Sequence, residues 1–286
     1  MRARITTSLC THTEENLVVI IKKITIKLRK KRIVSNVGDI AEKLDVKREQ
    51  TPQDTISLLL PAYNEGGTIQ KTIQELYQEI GTKIPIEIIV CEDGSTDSTK
   101  KDLLELSQQI PMKLILGEKR KGYMKAVKDG LNIVNSDFVL FVDSDGQHVA
   151  NDFWKLYELK DKYPVISGYR IKRADASHRR LMSTVFRWMT TTLFKLPLFH
   201  DITAPFKLMQ TKVAQEVAND CRYMRDSFWT EFTVRAHKKG FNITEVSVNH
   251  RRRTNGLTRV YHPDKLMNIV LSQLVGLFKL WKELVK

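Results

Sequence analysis

Long apolar runs are missing from this sequence. A membrane-crossing helix needs about 18 or more consecutive apolar residues, and no stretch here approaches that. Leu17 to Ile21 is apolar, but Lys22 and Lys23 cut it short. The same stretch leads into basic residues instead of a small-residue cleavage site, so no secretion signal is expected. Cysteine is scarce: Cys10, Cys91 and Cys221 are odd in number and widely spaced. That excludes a zinc pattern and a disulfide framework and points to a reducing, cytoplasmic setting. Cys91 lies in an apolar run and reads as a small buried hydrophobe. Repeats and low-complexity tracts are absent. Negative charge is in short supply, with 33 acidic residues against 47 Lys and Arg, a net charge of +14. Such a chain is drawn to something anionic: nucleic acid, an acidic membrane surface or a phosphorylated substrate. A basic motif interleaved with aromatics is also lacking, so nucleic acid is not the expected partner.

What is present is ordinary for a globular protein: 42% apolar and 28% charged residues in a chain of 286, enough for a sizeable core. Residues 1–54 form a basic extension and linker. Lys27, Arg29, Lys30, Lys31 and Arg32 cluster beside Val18, Val19, Ile20, Ile24 and Ile26. This segment is either a solvated extension or a contact with an anionic membrane. From Ile56 the pattern changes. Apolar runs at Ile56–Leu60 (ended by Pro61), Ile84–Cys91, Met112–Leu116 and Phe138–Val142 read as strands. Between them, Thr68–Ile80, Ser95–Gln109 and Tyr123–Ile133 carry helical spacing, with Leu103, Leu104 and Leu106 on the buried side of the second. Such alternation predicts an α/β fold, a mostly parallel sheet covered by helices on both faces. Further on, Val165–Tyr169 and Ile243–Val248 read as strands, the latter at an edge. Arg180–Phe194, Thr211–Asn219 and Thr230–Lys239 read as helices. A catalytic domain is expected over residues 55–262 and an amphipathic helix over 263–286, either packed on the domain or lying in a membrane interface.

Three polar clusters follow the strands: Pro61-Ala-Tyr-Asn-Glu65, Glu92-Asp-Gly-Ser-Thr-Asp97 and Asp143-Ser-Asp-Gly-Gln-His148. In open parallel sheets, ligands bind beyond the carboxyl ends of the strands. Each cluster alone would make an ordinary turn or helix cap; three at one sheet edge make a site. Asp143 and Asp145 end the very apolar strand Phe138–Val142. Two close carboxylates are unfavourable unless a cation bridges them, and hard oxygen donors suit Mg2+ or Mn2+ shared with phosphates.

These three clusters together resemble the family 2 inverting glycosyltransferases of the GT-A fold, over roughly residues 55–260. The polyprenyl-phosphate sugar transferases are the branch most similar. The resemblance implies a nucleotide-diphosphate sugar donor, UDP- or GDP-linked, and a divalent metal. It places Pro61, Tyr63, Glu65, Asp93 and Ser144 at the nucleotide, and Asp143, Asp145 and Gln147 at the metal. Gly168-Tyr-Arg170 resembles a Gly-x-Arg segment that faces phosphate. Asp201-Ile-Thr-Ala-Pro-Phe206 resembles the Asp-x-x-x-Gly-Phe segment near the acceptor. Glu231 falls where an acidic residue faces the acceptor, and His250, Arg253 and Gly256 match a mobile segment after the last strand. Glu92 and Pro205 depart from the pattern, standing where aspartate and glycine are usual. The C-terminal transmembrane helices common in the polyprenyl branch are absent.

The implied reaction is displacement at the anomeric carbon, with Asp145 and Arg253 supporting the leaving diphosphate. A phosphate acceptor needs no base. A glycan or protein hydroxyl needs one, for which Glu231 and Asp201 are the candidates. The basic runs His178-Arg-Arg180 and His250-Arg-Arg-Arg253 favour a polyprenyl phosphate, with Arg179 or Arg180 reaching its phosphate.

Overall fold

The apolar runs assemble into one sheet. The computed structural model describes residues 54–171, 177–253 and 263–285. Expectations placed on residues 1–53, on Gly256 and on the side chains of His178, Arg179 and Arg180 lie outside the described residues. The strands are β1 (Ile56–Ala62), β2 (Ile86–Glu92), β3 (Lys113–Leu116), β4 (Phe138–Phe141), β5 (Val165–Arg170), β6 (Lys207–Gln210) and β7 (Ile243–Val248). The helices are α1 (Ile69–Leu76), α2 (Thr99–Leu106), α3 (Tyr123–Leu131), α4 (Phe153–Tyr157), α5 (Ser177–Phe194), α6 (Thr211–Asp220), α7 (Phe228–Lys238) and α8 (Pro263–Leu284). The strand order is β3-β2-β1-β4-β6-β5-β7, and pairing is parallel except where β6 meets β4 and β5. β7 lies at one edge, as the alternation of its residues suggests.

Side chains alternate across the central strands, and each set finds its own core. Leu58, Leu60, Ile88, Val90 and Leu140 pack on one face under α1, α2 and α4. Leu59, Ile89, Cys91, Val139 and Phe141 pack on the other under α3, α6 and α7. A third cluster joins Phe194, Phe199, Ile202, Met224 and Val234 to Leu277 and Leu280 of α8. The C-terminal helix is thus packed on the domain along one stripe. Among the described residues no helix is long and apolar enough to cross a membrane.

Three details differ from the pattern-based reading. β1 runs through Pro61 to Ala62. Its pairing with β4 has already ended at Leu59↔Phe141, so the missing N–H of Pro61 breaks no rung there. Leu104 is 49% exposed while Leu103 and Leu106 are buried, because only positions three apart share the face turned to the sheet. β6 begins with the fully buried Lys207; a charged residue opening a four-residue strand masks the apolar signal.

Candidate active site

All three polar clusters emerge at the same sheet edge, and hydrogen bonds lock them together. The Ser144 hydroxyl donates to the Pro61 carbonyl at 2.8 Å, tying the Asp143–Asp145 turn to the end of β1. The Asp93 amide donates to the Ala62 carbonyl at 2.8 Å. The Asn64 amide donates to Ser95 Oγ, and the Thr96 amide returns a bond to Asn64 Oδ1. Gly94 has φ +71°, and a Cβ there would meet the Lys119 carbonyl carbon at 2.3 Å; only glycine fits this crossing.

β4 ends at Phe141, so the two aspartates stand on a turn beyond the strand, with buried Ser144 between them. Asp143 is pushed up to about 7, first by burial and then by the charge of Asp145. The charges of Arg170 and Glu65 also reach it, so these four predicted residues share one site. Its carboxylate accepts a hydrogen bond from the Tyr123 hydroxyl at 3.1 Å. Asp145 accepts one from the Gln147 amide at 3.1 Å. Gln147 is fastened to the chain after β7: its side-chain amide donates to the Arg251 carbonyl, and the Arg251 amide donates to the Gln147 carbonyl. His148 and His250 pair across the same seam.

The donor set fits a divalent ion. Among the described residues no three His, Cys, Asp or Glu side chains form a metal cage of their own. The pair instead supplies two hard oxygens, and a cation between them would offset the repulsion that raises Asp143. Mg2+ and Mn2+ commonly take their remaining oxygens from substrate phosphates and water.

Other predicted residues sit in more committed positions. The Asp93 carboxylate is 6% exposed and accepts from the Lys121 and Gly122 amides at 2.6 and 2.8 Å. It thereby shapes the loop that lays Arg120 over the Tyr63 ring, 4.1 Å from its centre. The Glu65 side chain holds Arg253 in an ion pair. Arg170 pairs with Asp201 through Nε at 2.7 Å and Nη2 at 3.2 Å, and also reaches Thr203 Oγ1. The Cβ that Gly168 lacks would meet the Val248 side chain at 2.8 Å and the Phe206 ring at 3.0 Å; those two side chains fill the space a side chain at 168 would need.

Neither candidate base has the open geometry that role requires. Glu231 is fully buried. One oxygen accepts from the Arg222 amide and Arg235 Nε, the other from the Tyr223 and Met224 amides, all at 2.8–2.9 Å. Four donors fill its lone pairs. Instead of facing an acceptor, it clamps the 222–224 turn to α7. Asp201 is 3% exposed, with both oxygens taken by Arg170 and Thr203.

Pattern reading assigned no role to Arg120, Tyr123, Trp229 or His148. Arg120 and Tyr123 lie outside the three polar clusters, Arg120 in the loop before α3 and Tyr123 as its first residue. Trp229 donates to the Tyr123 oxygen at 2.8 Å. His148 is buried against Phe206, and burial followed by the charge of His250 holds it down to about 3, so it is neutral.

The chain is 27% identical over 205 residues to an uncharacterized protein of Methanocaldococcus jannaschii, covering 67% of this chain and 86% of that one. It is 27% identical over 213 residues to an uncharacterized glycosyltransferase of Mycobacterium tuberculosis, covering 72% and 90%. Among solved structures, glucosyl-3-phosphoglycerate synthase from Mycobacterium tuberculosis, in complex with Mn2+, uridine diphosphate and phosphoglyceric acid, superposes with a TM-score of 0.60. That match is at 17% identity and covers 80% of this chain and 79% of the other; it shows the GT-A fold. Residues 57–218, more than half of the chain, match the family described as Glycosyl transferase family 2, and the protein is therefore a member of that glycosyltransferase family.

Proposed function

We propose that this glycosyltransferase moves a sugar from a UDP- or GDP-linked donor to a polyprenyl phosphate, with inversion at the anomeric carbon. One observation carries the acceptor half: Glu231 and Asp201, the two candidate bases, are buried with their oxygens already bonded. A hydroxyl acceptor must lose a proton to a base. A phosphate monoester is an anion at neutral pH and attacks without one. Its oxygen forms the bond to the anomeric carbon as the bond to the donor's β-phosphate oxygen breaks, and the electron pair leaves with the nucleoside diphosphate.

Pro61, Tyr63, Glu65, Asp93 and Ser144 line the nucleotide side, with Arg120 closing over Tyr63. Asp143 and Asp145, joined by Gln147, would hold Mg2+ or Mn2+, whose charge stabilises the departing diphosphate. Neighbours of this fold in complex with Mn2+ and uridine diphosphate support the pairing of ion and nucleotide. Arg253, held beside the site by Glu65, adds positive charge, and His250 backs the segment that carries it. Arg170 acts through its field at Asp143 and by fixing Asp201. Arg180, on α5, takes the acceptor phosphate.

The same reading places the protein against an anionic membrane, where such an acceptor resides. α8 exposes Leu271, Leu274, Val275, Phe278 and Trp281, with Lys279 and Lys282 among them. Apolar residues interleaved with lysine are the chemistry of an interfacial helix. The test is transfer of labelled UDP- and GDP-sugars, with Mn2+, to polyprenyl phosphate in detergent. Label in an acid-labile, alkali-resistant lipid is the expected outcome. Label moving only to phosphoglycerate or to a glycan hydroxyl overturns the acceptor reading.

A further inference from the structure

Asp143 does not stand alone, and the direction of its hydrogen bonds can be worked out atom by atom. The Trp229 indole has one polar hydrogen and no acceptor. At 2.8 Å from the Tyr123 oxygen, it must donate, so the phenol oxygen is the acceptor there. The single phenol hydrogen is left to point at Asp143 Oδ1, 3.1 Å away. A phenol keeps its hydrogen at neutral pH, so it stays a donor.

Both rings are held from outside the site. Phe141, the last residue of β4, meets the Trp229 ring edge-on at 4.8 Å, and Phe228 meets it at 4.9 Å. Lys207 lies 5.7 Å from the same ring. Tyr123 opens α3 immediately after the two amides gripped by Asp93. The chain of bonds thus runs from α7 through the start of α3 to the turn after β4.

We propose that Trp229 and Tyr123 act in series as positioning residues for the cation site. The indole aims the phenol, and the phenol pins one oxygen of Asp143, so that the carboxylate meets the cation in a fixed orientation. This rests on the reading of Asp143 and Asp145 as metal ligands. Partners that orient a metal ligand are typically worth about 10- to 100-fold in metal affinity.

The experiment measures Mn2+ affinity of the full chain with UDP present, from the electron paramagnetic resonance of free Mn2+. Tyr123→Phe removes one oxygen and keeps the ring; the Trp229 N–H loses its acceptor, so the melting temperature should fall by a few degrees while the chain stays folded. Its Mn2+ affinity is expected to fall about tenfold. Trp229→Phe should weaken binding less, and the double variant should be no weaker than Tyr123→Phe alone, because the indole acts only through the phenol. Parental affinity in Tyr123→Phe, or losses that add in the double variant, overturns the series. Failure of the parent protein to bind Mn2+ with UDP overturns the metal-site reading itself, and the series with it.

Discussion

A carboxylate serves as a base only while it has a lone pair to offer, and at this site that distinction separates Glu231 from Asp145. Glu231 → Gln leaves Arg235 short of a buried partner and removes an acceptor from the 222–224 turn. We expect a loss of about 3 kcal/mol, read from the urea midpoint. The folded variant should keep its turnover with a phosphate acceptor. Unchanged stability with abolished turnover would return Glu231 to the role of base. Asp145→Ala should do the reverse. Turnover should fall roughly a hundredfold or more, with no loss of melting temperature, because the change relieves the repulsion felt by Asp143. Parental turnover of this variant in saturating Mn2+ would remove the aspartate pair from the mechanism.

At the scale of elements, α8 is tied down by polar as well as apolar contacts. Its Leu277 and Leu280 are buried against the domain, and a Cβ on Gly276 would meet the Tyr223 carbonyl oxygen at 2.7 Å. Glu283 bonds Arg222 and Arg235 at 2.8 and 3.0 Å. The hydrogen bond from Arg235, chiefly, lowers Glu283 from 4.5 to about 2. The folded state therefore holds this proton less tightly than the unfolded chain. The stabilisation is complete above about pH 4.5 and disappears as the pH falls towards 2. Melting temperatures taken from pH 5 to pH 2.5 should fall more steeply for the parent than for Glu283→Gln, which has no such proton to take up. Parallel curves would show that the anchor contributes nothing. β6 teaches the converse. Its Lys207 donates to Ser167 at 2.5 Å, and burial lowers it to about 8. A short strand carrying such a residue has no periodicity to announce it.

At the scale of the whole molecule, the proposed membrane contact would draw on both a net charge of +14 and the exposed stripe on α8. Electrostatic attraction works from a distance and weakens with salt, whereas apolar insertion works on contact. Sedimentation with vesicles of phosphatidylcholine and phosphatidylglycerol should show binding that weakens as salt rises. The double change Leu274→Glu and Phe278→Glu, both on exposed positions, should reduce binding several-fold while leaving the melting temperature in place. Binding equal to that of the parent would free α8 from any membrane role.

Residue identity and spacing by themselves determined the central strands, the helices between them and the three polar clusters at their ends. Those signals are local: an apolar run, a turn pair, a carboxylate two residues from another. They also carried the family and the fold. Only the tertiary structure decided which carboxylates are open and which are spent. The donors that fill Glu231 come partly from a turn up to nine residues away, and those on Asp201 partly from Arg170 of β5. Tyr123 and Trp229 are 106 positions apart, and no local pattern links them. A hydrogen bond spends a lone pair wherever its donor comes from, and a long-range donor becomes visible only once the chain has folded.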